Sequence, residues 1–361
     1  MAEKTVKKRN ANIELLRLLS MIMVVFLHAL GKGDLLPNLA KDGCVNGWIA
    51  WVLECLSISA VNIFMLISGY FLIKSEFKLR RLLELVFEVM FFALGSFAVC
   101  LIFNINTGNE MNVYNTLFSV FPIHMDLYWF ITSYIVIYML QPILKAGVEH
   151  MSQKQFGTMI IVLLVFESLF KTVLPVRLEE DEFGYNVLWF LIVFLIGAYF
   201  RYYGFKHLTT TKKGAAAYFG ATILIFAETV ALMFFTAKTG RLSEIEGIST
   251  EYNHLFVLLS AIGIFAAFIN AKPMKESFAK VICALSPMSL GVYLVHENWS
   301  FRYNWQKWLG IKGILPVNTG AFLLKVIVAV LIVFVVGISV DFVRIRLFSL
   351  MGGFFGKSKD R

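Results

Sequence analysis

Charge is scarce in this chain. Asp, Glu, Lys and Arg make up only 16% of its 361 residues, against about 25% in an ordinary soluble domain, and that shortage excludes a conventional water-exposed surface. Cysteine is scarce too. Cys44, Cys55, Cys100 and Cys283 are widely spaced with no CxxC pair, which excludes a disulfide framework and the ligand spacing of a zinc site. Low-complexity stretches and a half-to-half repeat are also lacking, so the pattern of a repeat-built transporter is missing. What the chain does have is 58% hydrophobic residues, 35 Phe and a mean hydropathy of +0.73. These define an all-α, polytopic integral membrane protein.

Apolar runs of about 20 residues, the length that crosses a bilayer, recur ten times. They fall at 13–30, 48–73, 82–103, 127–144, 158–174, 186–203, 215–237, 253–270, 278–297 and 322–343. The linkers are brief, so residues 1–361 read as one membrane domain with basic tails at 1–12 and 344–361. The start, MAEKTVKKRN, is basic like a signal peptide. The run behind it carries Arg17, lacks a small-x-small cleavage site and is followed by further spans, so it reads as an uncleaved first helix. Most of the 33 Lys and Arg fall on one side if both termini are cytoplasmic, including the turn with Lys74, Lys78, Arg80 and Arg81. The acidic loops at 179–182 and 244–251 fall on the other. The positive-inside rule then gives N-in/C-in, and the net charge of +9 is topological, with no nucleic-acid partner required.

Polar residues inside the spans carry the functional signal, because ionisable groups there are costly. In Asn12–Leu30, Arg17 and His28 are eleven residues apart, which returns them to nearly one helix face roughly 16 Å apart along the axis, with Met21 and Val24 close to the line between them. Two readings stand for Arg17, a snorkelling side chain paired with Glu14 at i,i+3 or a ligand contact. Two stand for His28, an interfacial hydrogen bond or a base. In span two, Ser68-Gly69-Tyr70 follows a Phe-rich run; the small pair allows close helix packing or leaves room for a substrate chain. The next turn concentrates Lys78, Arg80 and Arg81, suited to anionic lipid or to a phosphate-bearing ligand, with Arg80 able to pair with Glu84. Asp126, Tyr128 and Trp129 sit at the outer boundary of span four, where an aromatic belt is expected, and Gln141-Pro142 marks its exit. Span five offers a Glu167/Lys171 pair. Glu228 in span seven has no evident partner. Tyr293, His296 and Glu297 close span nine on the same side as His28, so the two histidines could share a cavity. Lys325 and Asp341 in span ten are near enough to its ends to snorkel.

Four stretches in order resemble the membrane acyltransferase-3 family, bacterial enzymes that O-acylate surface glycans. They are ELLRLLSMIMVVFLH with its Arg17-x10-His28 spacing, VNIFMLISGYFL with the basic turn behind it, LYWFITSYIVIYMLQPIL, and SLGVYLVHE. The resemblance covers essentially the whole chain. It implies acyl-CoA, most commonly acetyl-CoA, as cytoplasmic co-substrate with no tightly bound cofactor or metal. It implies a saccharide hydroxyl as acceptor at the outer face of the cell membrane. His28 then matches the catalytic histidine and Arg17 its motif partner. Glu14, Ser68, Gly69, Tyr70, Trp129, Tyr293, His296 and Glu297 become supporting or substrate-binding candidates, and Lys78, Arg80 and Arg81 donor-phosphate candidates. The basic turn lacks the proline that often follows the family's arginines. In this reading His28 takes the proton from the acceptor hydroxyl as it attacks the thioester, help that contributes about 10²- to 10⁴-fold; an acyl-histidine is a further route. The competing functions are a glycan- or lipid-precursor transporter and a ligand-sensing membrane domain without transfer.

Overall fold

The computed structural model describes residues 9–105, 113–174, 182–241 and 243–350. The lysines at 4–8, most of the acidic loop at 179–182 and the charges at 357–361 lie outside them. Among the described residues nine helical segments are long and apolar enough to cross a membrane: α1 (Ala11–Lys32), α2 (Val45–Leu72), α3 (Leu79–Ile102), α4 (Trp129–Glu149), α5 (Gln153–Val173), α7 (Thr211–Thr239), α8 (Ser243–Ile269), α9 (Glu276–His296) and α10 (Thr319–Leu350). A shorter apolar helix, α6 (Val187–Tyr203), occupies the place of the sixth sequence span. The protein is therefore an all-α, multi-pass membrane protein.

The bundle is organised around α1. Asn10 caps its start, the side-chain oxygen accepting from the Asn12 and Ile13 amides, which satisfies two of the donors a helix start leaves open. Its packed face, from Ile13 and Leu16 through Val25 to Leu30, meets α2, α8, α9 and α10. Two large apolar clusters flank it. One is built on α2, α6 and α8, with Trp189, Phe190 and Phe194 inside. The other is built on the C-terminal half of α1 with α3, α9 and α10. Outward-facing Phe, Leu, Ile and Val are abundant on α3, α5, α7 and α10, as expected where lipid is the solvent.

Close helix contacts rest on small residues, the usual device where apolar burial cannot drive helix association. A Cβ at Gly69 would collide with the backbone of Phe194, and one at Gly197 with that of Leu66, so α2 and α6 touch backbone to backbone. Gly214 and Gly263 do the same for α7 and α8. The packing reading of Gly69 is thus the one the fold uses.

Several sequence expectations need correction. Helix α4 runs on past Gln141-Pro142 to Glu149, with Val148 beyond the proline buried in the core and Gln141 tied to the Leu72 and Ser75 carbonyls. Tyr128 is not a belt residue. It is 1% exposed, donates to the Leu294 carbonyl at 2.8 Å and accepts from Asn298 at 3.0 Å. Asp341 does not snorkel. It is fully buried and held by Arg344 one turn on (2.5 and 3.1 Å), and Arg344 also reaches Glu88 of α3 at 3.1 Å. Helix α10 continues to Leu350, which places Arg344 and Arg346 on a helix. Glu228, whose partner the sequence does not name, has its Oε1 3.3 Å from His254 Nε2. Beyond the Glu167 pairing that the sequence suggests, Lys171 is buried against Glu251 and donates to Asn253 at 2.6 Å.

Candidate active site

A cavity of about 330 Å³ runs along one face of α1. At one end it is lined by Arg17, Ser68, Arg81, Tyr134, Tyr138 and Ser286, and at the other by His28, Trp129, Tyr252 and Tyr293. Met21 and Val24 line it between Arg17 and His28. The eleven-residue spacing therefore does what the helix period requires, and His28 faces a cavity.

His28 is fixed from behind. Its Nδ1 lies 2.9 Å from His296 Nε2 and 3.1 Å from Glu297 Oε1. His296 Nδ1 sits 2.5 Å from the Val292 carbonyl, an oxygen that only accepts, so this nitrogen carries the proton and His296 Nε2 presents a lone pair. In neutral rings the proton between them then belongs to His28 Nδ1, with Glu297 Oε1 3.1 Å from the same nitrogen. That leaves His28 Nε2 unprotonated. The tautomer follows from the hydrogen-bond chain, and it gives the imidazole a basic nitrogen in a cavity-lining side chain.

Glu297 is positioned by the chain around it. It terminates α9, and Lys32, on the last turn of α1, forms an ion pair with its Oε1. This lysine reads as an outer-loop charge in the sequence because the apolar run ends at Leu30; two further helical residues bring it into the site. Arg302 donates to the Glu297 carbonyl (3.1 Å) and the Leu127 carbonyl (2.9 Å), and Gln306 donates to the His28 carbonyl (3.1 Å). The segment after α9 thus clamps the C-terminal ends of α1 and α9 to the start of α4. No sequence motif pointed to Lys32, Arg302 or Gln306.

The donor atoms of His28, His296 and Glu297 lie within 4.8 Å of one another, close enough to hold a metal ion, although the sequence shows no metal-ligand spacing. The hydrogen-bond chain accounts for the same distances, and the Lys32 ammonium already supplies a cation to Glu297.

At the other end Glu14 accepts from Ser286 at 2.5 Å and stands 3.9 Å from Arg17. Arg17 Nε is enclosed without a hydrogen-bond partner, so the Glu14 pairing leaves donor capacity on a cavity wall. Of the three basic-turn candidates only Arg81 lines the cavity. Arg80 is bonded to Glu84 at 3.0 Å, and the Lys78 backbone is tied to the Tyr138 hydroxyl. Ser68 lines the cavity and donates to the Phe64 carbonyl at 2.8 Å. Tyr70 lies apart, packed on Phe71, Phe265 and Arg201.

A family model described as "Acyltransferase domain" (Acyl_transf_3) matches residues 10–340, and the chain belongs to that membrane acyltransferase family. No curated protein matches it, and no solved structure does.

Proposed function

We propose that this acyltransferase moves an acyl group, acetyl being the first choice, from cytoplasmic acyl-CoA to a hydroxyl of a cell-surface glycan, with His28 as general base. The observation that carries the reading is the contact of His28 Nδ1 with His296 Nε2 and Glu297 Oε1, from which Nε2 is assigned as the lone-pair nitrogen, on the wall of a cavity that reaches Arg17 and Arg81. The charge distribution supports an N-in/C-in arrangement of ten spans, with α6 as the shortest, in the plasma membrane. Arg17 and Arg81 then lie towards the cytoplasm, where their guanidinium forks suit the donor's phosphates. The flexible thioester arm has roughly 16 Å to climb along α1, a span that an extended pantetheine chain covers.

In the reaction His28 Nε2 takes the proton of the acceptor hydroxyl as its oxygen attacks the thioester carbonyl, and the CoA thiolate leaves. Glu297 accepts the Nδ1 proton and stabilises the imidazolium that forms, and Lys32 holds Glu297. The test reconstitutes the protein in liposomes with labelled acyl-CoA on the Arg81 side and de-O-acylated glycan on the His28 side. Label on the glycan supports the reading. Solute movement without thioester turnover would sink it in favour of a carrier, and binding with neither would leave a sensor.

A further inference from the structure

Helices α1 and α9 run side by side along the cavity. Glu14 accepts from Ser286 at the Arg17 end, and His28 meets His296 at the other. Between these two contacts the cavity-lining residues of α9 recur at helical spacing, as Ser289, Leu290 and then Tyr293. His296 follows Tyr293 by three residues on the same helix face, with ring centroids 6.2 Å apart at 84°. Tyr293 therefore stands about 4.5 Å from His296 along the axis, on the side from which the thioester arrives.

Tyr293 is 7% exposed, and its ring is packed on Tyr128 at 5.8 Å and Phe130 at 6.2 Å. Behind it the Tyr128 hydroxyl is fully engaged by Leu294 and Asn298. Among the described residues nothing hydrogen-bonds the Tyr293 hydroxyl. Unlike the enclosed, unpartnered hydroxyls of Ser59 and Ser260, it is open to the cavity that its residue lines. An unpaired hydroxyl in a largely apolar wall is costly and is free to meet an acceptor atom of a bound ligand. The wall itself is firm. A Cβ at Gly337 would collide with Val292, the residue before Tyr293, and one at Gly291 with Asp341, so α9 is seated tightly on α10.

The chemistry at this end calls for such a donor. Attack on a thioester puts negative charge on the carbonyl oxygen, and preorganised donors aimed at that charge are a large term in acyl transfer. His28 Nε2 has to accept, and Val61, Phe64 and Phe130 have no side-chain donor. Trp129 and Tyr252 have one each, but they stack on each other at 5.8 Å. Of the three, Tyr293 alone has a ring contact with the histidine pair among the described residues.

We propose that the Tyr293 hydroxyl is the oxyanion donor of the transfer, hydrogen-bonded to the thioester carbonyl oxygen. The inference rests on the transferase reading above and deepens it. As the acceptor oxygen bonds to the carbonyl carbon, His28 Nε2 takes its proton and the carbonyl π pair moves onto oxygen, where the phenol O–H meets it. The pair then returns, the C–S bond breaks and the CoA thiolate leaves with the bonding electrons. Tyr293 keeps its proton throughout, as a phenol does at neutral pH.

The experiment follows CoA thiol release with acetyl-CoA as donor and de-O-acylated glycan as acceptor, resolving kcat and donor KM. It is repeated with the dithioester analogue, whose C=S sulfur accepts hydrogen bonds poorly. Tyr293→Phe keeps the ring and removes only the hydroxyl. It should lower kcat about 10²- to 10³-fold, the effect of losing one oxyanion donor, with the donor KM within threefold of wild type. The oxygen-to-sulfur rate ratio should shrink in the variant, because no hydroxyl remains to tell the two atoms apart. A kcat within threefold of wild type overturns the proposal. A lower kcat with an unchanged ratio assigns the loss to packing and overturns it too. If the phenylalanine variant does not fold, Tyr293→Met is read by the same ratio. Wild-type protein that neither acylates glycan nor releases thiol defeats the transferase reading and the proposal with it, whereas an active wild type with an equally active variant defeats the proposal alone.

Discussion

Glu297→Gln separates the charge of the clamp behind His28 from its shape. The amide is nearly isosteric and its oxygen still accepts from His28 Nδ1, so the tautomer survives. What disappears is the negative charge facing an imidazole that becomes cationic in the transition state, 3.1 Å away. A hydrogen bond to a charged group contributes about 1–1.5 kcal/mol more than a neutral one, so at 1.36 kcal/mol per tenfold kcat should fall by about 5- to 13-fold. Lys32, which pairs with Glu297, loses its partner as well and adds a loss of stability. Single-turnover transfer at saturating donor and acceptor, on protein shown to be folded by its thermal transition, reads the chemical step. A kcat within twofold of wild type would refute the idea that Glu297 stabilises charge on His28.

Three other outcomes follow from the geometry. Arg81→Ala should raise the acyl-CoA KM about tenfold, the lower end of one charge-assisted contact, whereas Arg80→Ala should change it less than twofold, because Arg80 is surface-exposed and engaged by Glu84; equal effects in a donor titration would contradict the placement. Asp341→Asn breaks the buried pair with Arg344 and should cost about 3–5 kcal/mol, seen as a lower thermal midpoint in detergent; an unchanged midpoint would show the pair to be neutral. Gly69→Val pushes a side chain into the backbone of Phe194 and should cost about 1–3 kcal/mol or more through overpacking, checked by size-exclusion profile and melting temperature.

The helices were legible because lipid imposes one simple rule, an apolar run of sufficient length. Nine of the ten runs reappear among the described residues as helical segments long and apolar enough to cross a membrane, and 186–203 as a shorter apolar helix. The ends that moved did so for tertiary reasons: α4 ran past Pro142 to bury Val148, and α10 ran past residue 343 because Arg344 pairs with Asp341 and Glu88. The Arg17/His28 stripe was legible because it follows from the helical period alone. The His28–His296 contact was foreseen only as two histidines at the same depth, since which face of α9 turns towards α1 depends on packing. Lys32, Arg302 and Gln306 were not legible. They act through a loop whose path no periodicity encodes.

The central claim is that His28 Nε2 removes the acceptor proton. It is tested most directly by the rate of labelled acetyl transfer from acetyl-CoA to de-O-acylated glycan by wild-type protein and by a folded, membrane-inserted His28→Ala variant. Loss of the base should lower the rate by about 10²- to 10⁴-fold with donor binding retained. Transfer by His28→Ala at the wild-type rate would contradict the account.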